Sequence, residues 1–119
     1  MREKLHAAHP NASGLFDVKH DRGGMIDIEF AVQFLVLAHS ARYRDLTGNL
    51  GNIALLQMAA AHGLIDAALA ERCRNAYREF RRLQHQLRLQ GDQYARVPHE
   101  RVAALVQSVA ELWERVFAP

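Results

Sequence analysis

The spacing of apolar residues between positions 66 and 90 constrains the fold of this chain more than any other feature. Apolar residues recur there at alternating steps of four and three: Leu69, Cys73, Ala76, Phe80, Leu83 and Leu87. This period places all of them on one face of an α-helix. Asp66 precedes the pattern as a suitable N-cap and Gly91 follows it. We therefore predict one long helix that ends near Gln90.

Three further segments have helical spacing, at about 25–41, 50–62 and 98–117. The first contains two adjoining apolar rows: Ile28, Val32 and Leu35 in one, and Ile26, Phe30, Phe34 and Leu37 in the other. Two such rows predict a helix that is buried on nearly all sides. Asn49 is a plausible N-cap for the second segment, and Pro98 suits the first turn of the last. Trp113 is predicted to be a core residue of that last helix.

Together these segments predict an all-α fold, an antiparallel helical bundle of about four helices. We assign the bundle to residues 25–119, and an N-terminal extension with a strand and a Gly-Gly turn to residues 1–24. The strand signal lies at 15–19 and has no evident partner strand in the sequence. Because a lone strand is not stable, we expect it to pair with a sheet that belongs to another polypeptide segment.

The composition is that of a single soluble globular domain, with 119 residues, of which 50% are hydrophobic and 24% charged. The formal net charge is only +2, and no aromatic residues are interleaved with the basic ones. We therefore expect no nucleic-acid partner. No apolar run is long enough to cross a bilayer and no signal peptide is visible, so we expect no membrane partner. One cysteine, Cys73, excludes an internal disulfide and fits a reducing cytoplasm.

The segment 16–30, Phe-Asp-Val-Lys-His-Asp-Arg-Gly-Gly-Met-Ile-Asp-Ile-Glu-Phe, is the one region whose residue types suggest chemistry. A glycine pair at a helix start allows close backbone approach, and a helix N-terminus favours anions. The candidate residues that line an active site are Lys19, Arg22, Gly23, Gly24, Asp27 and Glu29. The alternative is a tight strand-to-helix turn in which Asp27 only stabilises the helix start. The pattern is neither a P-loop nor a dinucleotide fingerprint.

A basic stripe borders the apolar face of the long helix. Its candidate partner-docking residues are Arg74, Arg78, Arg81 and Arg88. The spacing favours the simpler explanation, a solvated flank whose arginine stems cover the edge of the bundle. The functional alternative is a docking surface for an acidic partner or a phosphate-bearing ligand. The seven histidines are scattered, so no metal site is predicted.

Four segments carry a resemblance to a known family: Phe-Asp-Val-Lys followed by Arg-Gly-Gly-Met-Ile-Asp-Ile-Glu-Phe, Asn-Ile-Ala-Leu-Leu at 52–56, Arg-Arg-Leu-Gln-His at 81–85, and Leu-Trp-Glu-Arg-Val-Phe at 112–117. Over nearly the whole chain the sequence resembles the helical domain that follows a catalytic module in the glutamine synthetase adenylyltransferase family. The resemblance implies an enzyme with two nucleotidyltransferase modules. One attaches AMP from ATP to a tyrosine of glutamine synthetase, and the other removes it by phosphorolysis.

The resemblance also implies cofactors and partners. ATP and Mg²⁺ would act in the intact enzyme, while this chain would bind no cofactor tightly. The partners would be glutamine synthetase, the PII signalling protein and the upstream nucleotidyltransferase module. The related uridylyltransferase of PII carries the same signature, so its equivalent domain is an alternative. A second alternative is an interaction module that docks glutamine synthetase or PII.

The family's catalytic module carries Gly-Ser-x-x-Asp-x-Asp and a further carboxylate that hold Mg²⁺, and this sequence lacks that set. We therefore expect a C-terminal fragment that has no catalytic residues of its own and is inactive alone. By resemblance, Lys19 and Arg22 would offset triphosphate charge, and the amides of Gly23 and Gly24 would approach phosphate. Acidic residues of the first helix (Asp27, Glu29) would orient metal-bound water or the basic residues. The strand at 15–19 would join or border the nucleotidyltransferase sheet.

Overall fold

The computed structural model describes residues 11–47 and 51–117, and four α-helices dominate these ranges. The helices are α1 (Met25–His39), α2 (Asn52–Ala61), α3 (Ala67–Leu89) and α4 (His99–Phe117). Two short strands accompany them, β1 (Phe16–Asp17) before α1 and β2 (Arg96–Val97) between α3 and α4. A 3-10 turn (Arg44–Thr47) follows α1. The predicted all-α fold with about four helices is confirmed.

The long helix α3 lies at the centre of the fold, packed against both α2 and α4. Its N-cap is the predicted one, because the Leu69 amide donates to the Asp66 carboxylate at 3.1 Å. Its predicted apolar face is buried from Leu69 to Leu83, with Leu87 partly buried. Beyond α3, Gly91 adopts a left-handed conformation with φ of 88°. The sequence periodicity therefore predicted this element correctly.

Contacts between the helices define their directions. An ion pair joins Arg72 to Glu111 at 3.1 Å, and the Cys73 thiol donates to the carbonyl of Ser108 at 3.4 Å, so α3 and α4 are antiparallel. Near the start of α1, Gly23 approaches Val106, and further along Phe34 meets Phe117. Helices α1 and α4 therefore run side by side in the same direction.

The predicted strand forms, but the expectation that its partner lies elsewhere is wrong. β1 pairs antiparallel with β2 of the same chain, with Phe16 opposite Val97 and Asp17 opposite Arg96. The Val18 amide extends the pairing by donating to the Ala95 carbonyl at 2.9 Å. A two-residue strand has no visible alternation of apolar and polar residues, which is why β2 escaped the sequence analysis. The strand therefore needs no sheet from another module.

One of the two apolar rows of α1 is buried, and the other is not. Ile28, Val32 and Leu35 belong to the core, as predicted. In contrast, Phe34 is 43% exposed and Leu37 is 80% exposed, so the prediction of a helix buried on nearly all sides is wrong. The prediction of Trp113 as a core residue is also wrong. Its side chain is only half-buried at the surface of α4.

Several predictions concern segment boundaries. Asn49 lies outside the described residues, and α2 begins at Asn52 with Gly51 as its N-cap, so the predicted cap is wrong. Phe16 and Val18 pack in the same core as the helices, while residues 1–10 lie outside the described ranges. The division at residue 24 therefore stays a prediction.

Within the described ranges, none of the helices is both long and apolar enough to span a membrane.

Candidate functional site

The turn between β1 and α1 folds around its own carboxylates. Asp17 is 1% exposed, and its Oδ1 accepts the backbone amides of Lys19 at 3.0 Å and His20 at 2.9 Å. Asp21 accepts the amide of Asp17 at 3.0 Å and the side-chain amide of Asn11 at 2.8 Å. Each carboxylate thereby satisfies backbone or amide donors that the tight turn leaves without partners.

Two side-chain nitrogen atoms lie near the buried carboxylate of Asp17, one from β2 and one from the β1–α1 turn. The Arg96 Nε lies 3.5 Å from Asp17 Oδ2, and the His20 Nδ1 lies 3.4 Å from the same oxygen. The guanidinium of Arg96 also stacks on the Tyr94 ring at 4.1 Å from its centroid. A carboxylate removed from water needs such partners to remain ionised. Arg96 and Asp17 are structural residues that the sequence analysis did not identify.

Both glycines are required by space, and Gly23 is also required by its backbone conformation. Gly23 has φ of 91°, and a Cβ there would lie 2.6 Å from Val106 Cγ1. A Cβ on Gly24 would lie 2.6 Å from the carbonyl oxygen of Val18. Backbone atoms cannot give way as a flexible side chain can, so any larger residue at Gly24 must displace the turn.

The amides of both glycines are used inside the turn. Gly23 donates to Asp27 Oδ2 at 2.8 Å, and Gly24 donates to the carbonyl of Asp21 at 2.9 Å. Asp27 itself is only 2% exposed. Both amides therefore already have acceptors within the turn, and the expectation that they approach a phosphate stays a prediction. Asp27 binds the turn that precedes its own helix, which is the structural alternative raised by the sequence.

Glu29 points to α3 and not towards the turn. The Tyr77 hydroxyl donates to Glu29 Oε2 at 2.8 Å and accepts from the Asn52 side-chain amide at 3.2 Å. Burial of the ring, followed by the hydrogen bond to Glu29, raises the pKa of Tyr77. This network links α1, α2 and α3. No sequence signal identified Tyr77 as the partner of Glu29.

Lys19 lines a cleft between the β1–α1 turn and the C-terminal part of α3. The cleft has a volume of about 320 Å³, and its polar lining includes Asp17, His20, Gln84, Arg88 and Asp92. Tyr94 is 40% exposed at its edge. Arg22, Gly23, Gly24, Asp27 and Glu29 do not line it. The structure therefore separates Lys19 from the other five candidates and places it beside Arg88 of the basic stripe.

The basic stripe forms a second, shallower depression of about 430 Å³, which we call the arginine surface. It is lined by Arg78, Arg81, Arg82, Gln84, His85 and Arg88, with no carboxylate among the described residues that line it. Arg82 hydrogen-bonds Glu79, which lowers the pKa of that carboxyl group. Arg74 does not line the depression, and it pairs with Glu71 at 2.6 Å. Three of the four predicted docking arginines therefore share one surface.

In the part of the chain that the structure describes, few side chains are suited to bind a metal ion or to act as a reactive thiol. No three His, Cys, Asp or Glu side chains come close enough there to hold a metal ion. Asp27 and Glu29 are engaged with Gly23 and Tyr77, so they do not fit a magnesium site by themselves. Burial raises the pKa of the Cys73 thiol to about 12, which leaves it protonated and unreactive near neutral pH.

Comparisons with known proteins agree with the family resemblance described from the sequence. A family model described as GlnD PII-uridylyltransferase matches residues 1–114. Bifunctional glutamine synthetase adenylyltransferase/adenylyl-removing enzymes are similar over 98% of this chain. Identity is 59% in Bordetella bronchiseptica, 60% in Ralstonia nicotianae and 49% in Nitrosomonas europaea. The chain spans only 12% to 14% of the length of these relatives. It belongs to the GlnD PII-uridylyltransferase domain family, in the form found in glutamine synthetase adenylyltransferases.

Proposed function

We propose that this chain is the helical part of an enzyme that transfers AMP from ATP to a tyrosine of glutamine synthetase and removes it by phosphorolysis. The observation that carries the proposal is identity of 57% to 60% with several such enzymes over 98% of the chain. The names of these relatives favour adenylylation of glutamine synthetase over uridylylation of PII. In this role the chain acts in the cytoplasm to regulate nitrogen assimilation, and PII is a regulatory partner.

Within that enzyme, the chain contributes support and positive charge, and the metal-binding carboxylates lie on the upstream nucleotidyltransferase module. Two-metal transfer of a nucleotidyl group requires clustered carboxylates. The buried acids of the β1–α1 turn are instead occupied by backbone amides. ATP and Mg²⁺ therefore act on the intact enzyme, and this chain alone is inactive. Lys19 is the candidate that remains available, since its side chain lines an open cleft.

A chimeric enzyme tests the proposal. This chain replaces the matching 116 residues of the Bordetella bronchiseptica enzyme, and the incorporation of labelled AMP into glutamine synthetase is measured. We expect activity within about threefold of the parent enzyme, or about 0.7 kcal/mol in the activation barrier, because 59% of the exchanged residues are identical. The control is the parent enzyme with the same region deleted, which should be inactive. A folded chimera that transfers no AMP contradicts the proposal.

Two substitutions in the chimera separate charge from structure at the predicted site. Lys19→Ala removes a cation from the cleft and should lower the rate of AMP transfer about tenfold without changing the melting temperature. Glu29→Gln removes the acceptor of the Tyr77 hydroxyl and should lower the melting temperature. If Lys19→Ala leaves the rate unchanged, the turn has no part in catalysis.

A second candidate function is docking of a protein partner, glutamine synthetase or PII, on the arginine surface. The observation that favours it is charge: Arg81 and Arg88 form no ion pair within residues 11–47 and 51–117, and no acid lines the depression. Like charges three or four residues apart on one helix repel each other, as for Arg78 with Arg81 and Arg82, so an acidic partner would relieve a repulsion that the chain carries alone.

Charge reversal tests the docking function. In the chimera, Arg78→Glu, Arg81→Glu and Arg88→Glu together should weaken binding of glutamine synthetase at least about tenfold and leave ATP binding intact. The matched control reverses Arg42, Arg44 and Arg115, which changes net charge equally and involves no residue that lines the arginine surface. Equal loss in both triple variants would show that net charge alone, and not this surface, governs binding.

A further inference from the structure

Six apolar side chains, three of them exposed and three partly buried, lie on the outer surface of α1 and α4, and we call them the aromatic face. Its members are Ile26, Phe30, Phe34 and Leu37 of α1 and Trp113 and Phe117 of α4. Within it Phe34 is 43% exposed, Leu37 is 80% exposed and Phe117 is 37% exposed. The α1 members recur at steps of four, four and three, so they lie along one side of that helix.

The two helices share this face through ring contacts. Phe34 and Phe117 have ring centroids 5.0 Å apart, and Trp113 and Phe117 have centroids 4.2 Å apart. The aromatic face is therefore one surface that bridges α1 and α4, and not a set of separate side chains. Contiguous exposed apolar surface of this kind usually marks an interaction site in a soluble protein.

The distribution of charge on α1 supports the same conclusion. Between Met25 and Ala38 the only acidic or basic side chains are Asp27 and Glu29, which hydrogen-bond Gly23 and Tyr77, and His39 follows at the end of the helix. The outer side of α1 consequently presents no charged group to solvent. Helix α3 contrasts with it, because six of its eight charged residues are exposed. An outer helix side without charge is typical of a buried helix.

We propose that, in the intact enzyme, the aromatic face is covered by an apolar surface of the flanking polypeptide. This inference rests on the proposed function. The relatives carry 86% to 88% of their length outside the region that matches this chain. A covalently attached flank reaches millimolar effective concentration, which a separate copy of the chain does not. The flank therefore outcompetes a second copy as the occupant of this face.

Chemical labelling of introduced cysteines tests the inference. Leu37→Cys lies within the aromatic face, and Leu89→Cys is the matched control because Leu89 is 75% exposed on α3, outside the face. Each is labelled in the free 119-residue chain and in the chimera, and the rate is measured by peptide mass spectrometry. In the chimera, we expect Leu37→Cys to react at least about tenfold more slowly than in the free chain, and Leu89→Cys to react equally in both. Cys73 is an internal unreactive reference.

Two results would overturn the inference. In the first, Leu37→Cys reacts as fast in the chimera as in the free chain. In the second, Leu37→Cys in the free chain reacts more slowly as the concentration of that chain is raised, which identifies a second copy as the molecule that covers the aromatic face. AMP transfer by the same chimera is measured in parallel. If Leu37→Cys is protected but no AMP is transferred, the inference stands and the proposed function is contradicted. If AMP is transferred but Leu37→Cys is not protected, the proposed function stands and the inference is contradicted.

Discussion

At the scale of single residues, the Arg-Gly-Gly-Met-Ile-Asp segment acts as the frame of a turn. Asp17, Asp21 and Asp27 accept backbone amides, and the two glycines leave space where Val18 and Val106 approach. The sequence showed that the residue types here were unusual, but it did not show which way each carboxylate points. Direction depends on contacts between residues far apart in the chain, such as Glu29 and Tyr77.

Substitution of Gly24 tests this frame. Gly24→Ala places a methyl group 2.6 Å from the Val18 carbonyl oxygen, so we expect the free energy of unfolding to fall by roughly 2 kcal/mol or more. Gly51→Ala is the control, because a Cβ there meets no atom within 4 Å and should cost less than about 1 kcal/mol. Chemical denaturation of both variants gives the comparison. Equal losses would show that close packing at Gly24 is not what requires glycine.

The Cys73 thiol makes stability depend on alkaline pH. Its pKa rises from 9.0 to about 12 because burial penalises the thiolate. The folded state thus holds this proton more tightly than the unfolded state, and the resulting stability is present below pH 9 and is lost as the pH rises towards 12. Between these values, the free energy of unfolding should fall more steeply for the natural chain than for Cys73→Ala. Parallel curves would contradict the assigned burial.

At the scale of elements, the helices were predictable and the small sheet was not. Apolar spacing over fifteen or more residues predicted the approximate ends of α1, α3 and α4 and the buried face of α3. In contrast, β1 and β2 have two residues each and are held by tertiary contacts, including stacking of Phe16 on Phe80 at 6.1 Å. Such pairing is invisible in a local pattern.

Removal of Arg96 tests whether its ion pair with Asp17 stabilises the two-stranded sheet. Arg96→Ala leaves the buried Asp17 without its guanidinium partner, so we expect a loss of roughly 2 kcal/mol in unfolding free energy at pH 7. Arg115→Ala is the control, because its contact to Glu111 is 3.9 Å long on the exposed surface and should contribute less than about 1 kcal/mol. Thermal unfolding at two salt concentrations checks both. A loss for Arg115 as large as that for Arg96 would contradict this account.

At the scale of the whole molecule, three surfaces have distinct physical characters. The Lys19 cleft is mixed in charge, the arginine surface is basic, and the aromatic face is apolar. The basic stripe could be predicted from the sequence, because the spacing of arginines along one helix shows which of them share a side. The sequence did not predict the aromatic face, because apolar spacing alone does not distinguish side chains buried within the chain from side chains buried against another polypeptide.

We propose that this chain supports AMP transfer only when it is joined to a nucleotidyltransferase module. The most direct test of this proposal compares two samples under the same conditions with ATP, Mg²⁺ and glutamine synthetase. One contains the free 119-residue chain, and the other contains the chimera that carries it. The account predicts labelled AMP on glutamine synthetase with the chimera and none above background with the free chain. Sustained AMP transfer by the free chain would contradict it.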